Sequence, residues 1–317
     1  MNGSGTTMML DHLDSHPRIY GFGLESYILP LYMRRAGKYG DLQDNENFRR
    51  LWDDMRREYA FVRANRRQVP ELPNDWADAT RSIAGVFDAI MTSFASRVGK
   101  RRWCEKTPMH VFYIKELADA FPGSRFIHMI RDGRACAASC WRRWGTHPVG
   151  AAVRWRDAIK AARSASTSTS DRYLEVVYEQ ITAEPERVLR EVCDFLGEDF
   201  TEGLLEANRV RPRITGHSSA AITPRKRARS AEFEARYAEK IELVAGKALH
   251  ECGYDCKYPE SAANAGVVDR LCWFMTDAKE FLIRMIEGKA GEQPHLTWRL
   301  FWSRIVTAAK FKLGNRT

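Results

Sequence analysis

Gly3-Ser4-Gly5-Thr6-Thr7 stands directly ahead of a helical pattern, and its residue types suit an anion. Glycines let the backbone curl closely around a phosphate or sulfate, and the free N–H groups of a helix start add the positive end of its dipole. Thr6 and Thr7 can add hydroxyl donors; a short leader of small residues is the plain alternative. The GK[ST] ending of a Walker A loop is missing, which argues against a nucleotide kinase. In RFIHMIRDGRACAAS (Arg125 to Ser139) a buried-strand pattern ends at Arg131, and a helix follows Asp132-Gly133. Ser139 falls about two turns into that helix. A guanidinium fork and a hydroxyl at the carboxyl end of a strand suit a phosphate, whereas an ion pair of Arg131 with Asp132 or Glu105 is the structural alternative. Cys104-Glu105-Lys106-Thr107-Pro108 also closes a strand pattern. Lys106 there can meet a transferring anionic group as a point charge, or Glu105 can simply pair with a neighbouring base. Tyr178, at the end of RYLEVVYEQI, can stack on a base or donate to a phosphate, against core packing as the default for one tyrosine.

The elements that must position these residues alternate. Helices are expected over Thr6 to Ser15, Asn47 to Tyr59, Trp76 to Val98, Val111 to Phe121, Arg134 to Trp144, Val149 to Ser164 and Glu184 to Leu196. Strands are expected over Arg18 to Gly23, Arg101 to Glu105, Arg125 to Ile130 and Arg172 to Tyr178. Pro122-Gly123, Gly145 and Gly197 punctuate the pattern. Such βαβ alternation predicts a parallel sheet covered by helices on both faces. Beyond it, Arg209 to Arg229 reads as a basic Ser/Thr-rich loop, Ala231 to His250 as a helix and Pro259 to Ala265 as a linker. Val267 to Glu287 and Leu296 to Leu313 read as aromatic-basic helices.

Composition narrows the classes. The chain has 317 residues, 44% hydrophobic and 29% charged, enough to bury a full core. No apolar run of about 18 residues encodes a membrane span, and no charged-then-apolar leader is visible at Met1. A net charge of +9 suits anionic ligands or simply solubility. Seven scattered cysteines without a paired CxxC set argue against zinc and fit reduced thiols in a cytoplasm-like compartment. Cys252 and Cys256 could pair across Gly253, and His128 reads as a satisfied core histidine.

Taken in order and spacing, NGSGTT, CEKTP, FIHMIRDGRACAAS, VVYEQI and PERVLREVCDFLG resemble the sulfotransferases that use 3′-phosphoadenosine 5′-phosphosulfate (PAPS), in particular bacterial and Golgi-type members such as the tyrosylprotein and heparan-sulfate enzymes. The motifs run from residue 2 to about residue 200. The resemblance implies a P-loop-like three-layer αβα fold with a central parallel sheet. It assigns Gly3, Ser4, Gly5, Thr6 and Thr7 to the 5′-phosphosulfate, Arg131 and Ser139 to the 3′-phosphate, Lys106 to the sulfuryl group and Tyr178 to the adenosine end. Glu25 stands where relatives carry the base; Glu105 is the runner-up and His110, expected to face solvent or the next helix, the third. A late loop that closes over PAPS would place Ser218 and Lys226 on the nucleotide, with a solvated charge run as the alternative. PAPS is the implied co-substrate, no metal is needed, and the acceptor is a hydroxyl or amine on an unidentified carbohydrate, lipid, peptide or small molecule.

Two departures from the family are visible. Its first strand precedes the phosphate loop, yet only two residues stand before Gly3, so that strand is expected to be missing from this sequence. The loop Lys or Arg of the family is replaced by Gly3, so a base such as Lys226 or Arg225 must supply that charge, or turnover is impaired. A PAP-binding relative without turnover is therefore one rival reading. A basic nucleic-acid-binding protein is another, opposed by the absence of its signatures. Residues 1–257 are expected to form the catalytic domain and 258–317 a helical aromatic-basic extension. Trp298, Phe301, Trp302, Ile305 and Ala309 of that extension share one helix face, for docking on the domain or a partner, or for peripheral contact with an anionic membrane.

Overall fold

The strand patterns pair two by two. In the computed structural model, which describes residues 1–206, 224–264 and 266–286, β1 (Ile19–Phe22) runs parallel to β2 (Arg102–Glu105), with Ile19 opposite Arg102 and Phe22 opposite Glu105. β3 (Phe126–Ile130) runs parallel to β4 (Tyr173–Val177), with Phe126 opposite Tyr173 and Ile130 opposite Val177. Parallel neighbours need crossovers, and helices fill them. The parallel α/β class is as expected, but the single central sheet is divided. Among the described residues no ladder joins β2 to β3.

Apolar packing joins what hydrogen bonds do not. Helix α1 (Thr6–Asp14) puts Met9 and Leu13 into one buried cluster with Ile19 of β1, Met129 of β3 and Val176 of β4, closed by α10 (Pro185–Leu196) through Val188, Leu189 and Val192. Asp14 at the end of α1 accepts from the Gly21 N–H at 2.6 Å, and His12 Nδ1 lies 2.6 Å from the Leu204 carbonyl, so both ends of the cluster are pinned. Beside β1 and β2 an aromatic core gathers Phe22, Phe48, Trp52, Phe61, Phe87 and Phe94. It is carried by α3 (Asn45–Arg56), α4 (Tyr59–Ala64) and α5 (Ile83–Ser96). Beyond β3 and β4, α7 (Gly133–Trp144), α8 (Pro148–Ser166) and α11 (Pro224–Glu251) share a core of small residues around Trp155. The remaining helices are α2 (Leu29–Arg34), α6 (Ile114–Ala120), α9 (Tyr178–Ala183) and α12 (Val267–Ile286).

Several boundaries move for local reasons. The helix expected from Trp76 starts at Ile83, because the Ser82 hydroxyl caps it by accepting from the Gly85 N–H at 2.9 Å; Trp76–Asp78 is a separate 3₁₀ turn. The helix expected from Val111 is a 3₁₀ turn over Pro108–Tyr113 followed by α6. The basic loop expected to reach Arg229 gives way to α11 at Pro224, a residue preset for a helix's first turn. The expected linker is laid along α11, with the Ala263 N–H on the Leu243 carbonyl at 3.0 Å. Trp273 of α12 stacks on His147 with ring centroids 5.7 Å apart. All seven cysteines are free, so Cys252 and Cys256 do not pair. No helix among the described residues is long and apolar enough to cross a membrane.

Candidate active site

Every strand delivers chemistry at its carboxyl end: Glu25 lies just past β1, Lys106 past β2, Arg131 past β3 and Tyr178 past β4. The loop ahead of α1 folds against the second pair. Gly3 has φ 87° and Gly5 φ 90°, the left-handed region where a side chain is strained. Space adds to the requirement. A Cβ on Gly5 would sit 2.4 Å from the Tyr178 ring, and one on Gly3 would lie 3.2 Å from the Cys136 carbonyl and 3.3 Å from Ser139 Cβ. A side chain at Gly3, including the loop Lys or Arg of the family, would be strained by the backbone and crowded by Cys136 and Ser139 in this conformation.

Arg131 ties the loop to the strand end. Its Nη1 donates to the Gly3 carbonyl at 2.9 Å, and its guanidinium lies 4.1 Å from the centroid of the Tyr178 ring. The alternative ion pairs go elsewhere: Asp132 pairs with Arg134 at 2.8 Å, and Glu105 is held by other groups. Trp155 Nε1 donates to the Arg131 carbonyl at 3.0 Å, fixing the backbone from which the guanidinium springs. Arg131 Nε is buried with no hydrogen-bond partner. A buried unpaired N–H on a cation is costly unless an acceptor occupies the site in use. The buried Ser4 hydroxyl is spent on the Met1 carbonyl at 2.6 Å, while α1 has no side-chain cap, leaving the first N–H groups of the helix open. Thr7 is exposed and Thr6 half-buried beside them. The orphaned Arg131 Nε, the uncapped helix start and the glycine cradle each suit an anionic group.

On the first pair, Lys106 Nζ donates to Glu25 Oε1 at 2.6 Å, and the Tyr27 hydroxyl donates to Glu25 Oε2. Glu105 holds this arrangement from below. Its Oε1 accepts from the Ser26 N–H at 3.0 Å, the Ser26 hydroxyl at 2.9 Å and the Thr107 hydroxyl, while Oε2 lies 3.1 Å from His110 Nδ1. Burial alone would raise the Glu105 pKa; His110 and the hydrogen bonds from Thr107 and Ser26 outweigh it and hold the carboxyl down at about 2. His110, expected from sequence to face solvent or the next helix, instead turns its Nδ1 onto Glu105, with its Nε2 buried and unpartnered. His128 is the satisfied core residue expected, 2.6 Å from the Tyr173 hydroxyl, and burial lowers its pKa.

The structure thus brings Gly3, Gly5, Arg131, Ser139 and Tyr178 together, and gathers Glu25, Lys106 and Glu105 in a second cluster at the ends of β1 and β2. Ser218 lies outside the described residues, as does the helix expected over Leu296 to Leu313. Lys226 belongs to α11, whose backbone alone is described there. The sequence also marks Tyr27 to Arg35 as lining the acceptor site, without a role for Tyr27; it missed Ser26 and Thr107, which no local pattern marks, because Ser26 gains its place from Glu105 and Thr107 across β1 and β2.

A family profile described as "Sulfotransferase family" matches residues 1–202. The chain belongs to the sulfotransferase family. Among sulfotransferase relatives it is 25% identical over 232 residues to "Protein-tyrosine sulfotransferase 1" of Danio rerio, covering 69% of this chain and 57% of that protein. It is 28% identical over 235 residues to "Protein-tyrosine sulfotransferase 2" of Gallus gallus, covering 69% and 55%. The chain thus spans little more than half the length of these relatives. Among solved structures, the "Sulfotransferase Domain from the Synechococcus PCC 7002 Olefin Synthase" superposes with a TM-score of 0.50 at 23% identity, over 80% of this chain and 92% of that one, a likeness of fold.

Proposed function

We propose that this sulfotransferase-family chain binds PAPS and transfers its sulfuryl group to a hydroxyl or amine acceptor. The observation that carries the reading is the contact of the Gly3–Gly5 loop with Arg131, Ser139 and Tyr178 at the carboxyl ends of strands, the same strand ends that carry the Lys106–Glu25 pair on β1 and β2. The open N–H groups of α1, with Thr6 and Thr7, take the 5′-phosphosulfate; Arg131 Nε and the Ser139 hydroxyl take the 3′-phosphate. Tyr178 borders the nucleoside and screens the guanidinium. When bound, PAPS supplies an activated sulfuryl group. The protein's residues supply orientation, donors near the oxygen where charge develops, and a carboxylate to take the acceptor proton. Lys106 serves as that donor while orienting Glu25. Arg131, which already reaches the Gly3 carbonyl, brings a cation to the loop that lacks its own, so the reading does not depend on Lys226. Glu105 acts as a positioning residue, pinning Ser26 so that Glu25 projects beside Lys106.

The relatives named protein-tyrosine sulfotransferases make a tyrosine-containing peptide the first acceptor to try. Thermal shift and calorimetry with 3′,5′-PAP, ATP and a short oligonucleotide test the donor reading. Selective stabilisation by PAP is expected; equal responses to ATP, or a preference for the oligonucleotide, would sink it. Binding of PAP without turnover on any acceptor would select the impaired relative, a reading favoured only by the absence of a loop cation at Gly3.

A further inference from the structure

The carboxylate proposed as base already holds a phenol. Glu25 Oε1 is taken by Lys106, and the oxygen left to receive an acceptor proton, Oε2, accepts from the Tyr27 hydroxyl. This contact is built by the chain around it. Tyr27 adopts φ 55°, a left-handed conformation that is unfavourable for a bulky side chain. It is forced there from both sides. Ser26, 2% exposed, is fixed by Glu105 and the Thr107 hydroxyl, and Ile28, 4% exposed, is anchored in the aromatic core. Tyr27 itself is only half-buried. Strain of this kind is retained where it orients a group, and here it turns a phenol back onto the carboxylate two residues earlier.

We propose that Tyr27 occupies the acceptor position and is itself an acceptor, a site of self-sulfation; the inference rests on the sulfuryl-transfer reading above. The Tyr27 phenolic oxygen attacks the sulfur of bound PAPS. A new aryl O–S bond forms while the bond from sulfur to the 5′-phosphate oxygen breaks, and its electron pair leaves with PAP. The phenolic proton passes to Glu25 Oε2 and from there to water. No oxidation state changes and no further reactant is needed. The product carries a sulfate ester beside Glu25, so like-charge repulsion drives Tyr27 off the carboxylate and opens that oxygen to an external acceptor.

The test uses the full chain with PAPS and no added acceptor, read by intact mass, peptide mapping and PAP calorimetry. One sulfuryl group on the Tyr27 peptide is expected, with a rate per chain independent of protein concentration. Tyr27→Phe should lose the label yet bind PAP like the wild type, and Glu25→Gln should slow labelling at least about tenfold. PAP binding without label, label on another residue, or a rate that rises with protein concentration overturns self-sulfation and leaves the donor reading intact. Failure to bind PAP overturns both.

Discussion

Glu25 and Arg131 are satisfied to opposite degrees. Glu25 has both oxygens engaged, by Lys106 and Tyr27, and as the proposed base would have to release one to receive an acceptor proton. Arg131 has one N–H on the Gly3 carbonyl and another buried without a partner. Replacing Glu25 by Gln removes the proton acceptor but keeps the shape. Turnover on any accepted substrate should drop by about two orders of magnitude while the PAP dissociation constant holds, read by steady-state kinetics beside calorimetry. Arg131→Ala removes the proposed phosphate donor and the loop's tether together. PAP binding should weaken by roughly 2–3 kcal/mol, the scale of a lost charged hydrogen bond. An unchanged dissociation constant would remove Arg131 from the nucleotide site.

At the scale of elements, the first pair of strands is a device for holding one short segment. β1 ends just before Glu25 and β2 ends at Glu105, whose carboxylate gathers Ser26, Thr107 and His110. Glu105 is held at about 2 against an ordinary 4.5. A carboxyl whose pKa is depressed by folding contributes stability that is complete above its unfolded value and is lost as pH falls through its folded one. The stability difference between wild type and Glu105→Gln should therefore be widest above about pH 4.5 and close towards about pH 2. Urea unfolding across that range measures it; a constant gap would show that the charge on Glu105 contributes nothing. The second pair is organised by the start of α7. There the Asp132 carboxylate caps the helix by accepting from the Arg134 N–H at 2.8 Å and also binds that guanidinium, leaving Arg131 free of it.

At the scale of the molecule, the two strand pairs must be held in fixed relation for their ends to act together. Apolar packing through α1 does this between the pairs. Trp155 does it behind α7: it is 1% exposed, a Cβ on Gly133 would lie 2.8 Å from its ring, and its N–H reaches the Arg131 carbonyl. Trp155→Ala should cost about 3–5 kcal/mol of stability, as expected for a large buried aromatic. It should also weaken PAP binding at a temperature where the variant is still folded. Denaturant unfolding with and without PAP separates the two effects, and a variant that loses stability but binds PAP normally would confine Trp155 to the core.

Helix and strand identities, the strand ends that carry Lys106, Arg131 and Tyr178, and the glycine-rich start of α1 at Gly3–Thr7 were legible in the sequence. They rest on local physics: period, turn residues and the chemistry of a glycine-rich helix start. The division into two parallel pairs was not legible, because strand pairing is a long-range choice among several edges. Nor were the inward turn of His110, the pinning of Ser26 by Glu105, or the left-handed Tyr27 that brings a phenol onto Glu25. Ser26 depends on a partner 79 residues distant, Tyr27 on strain imposed by flanking buried neighbours, and His110 on the fold that buries Glu105 beside it; only the tertiary structure supplies those. Tertiary packing likewise explains Gly3. The sequence marks a missing cation there, while the left-handed backbone and the close approach of Cys136 and Ser139 disfavour any side chain.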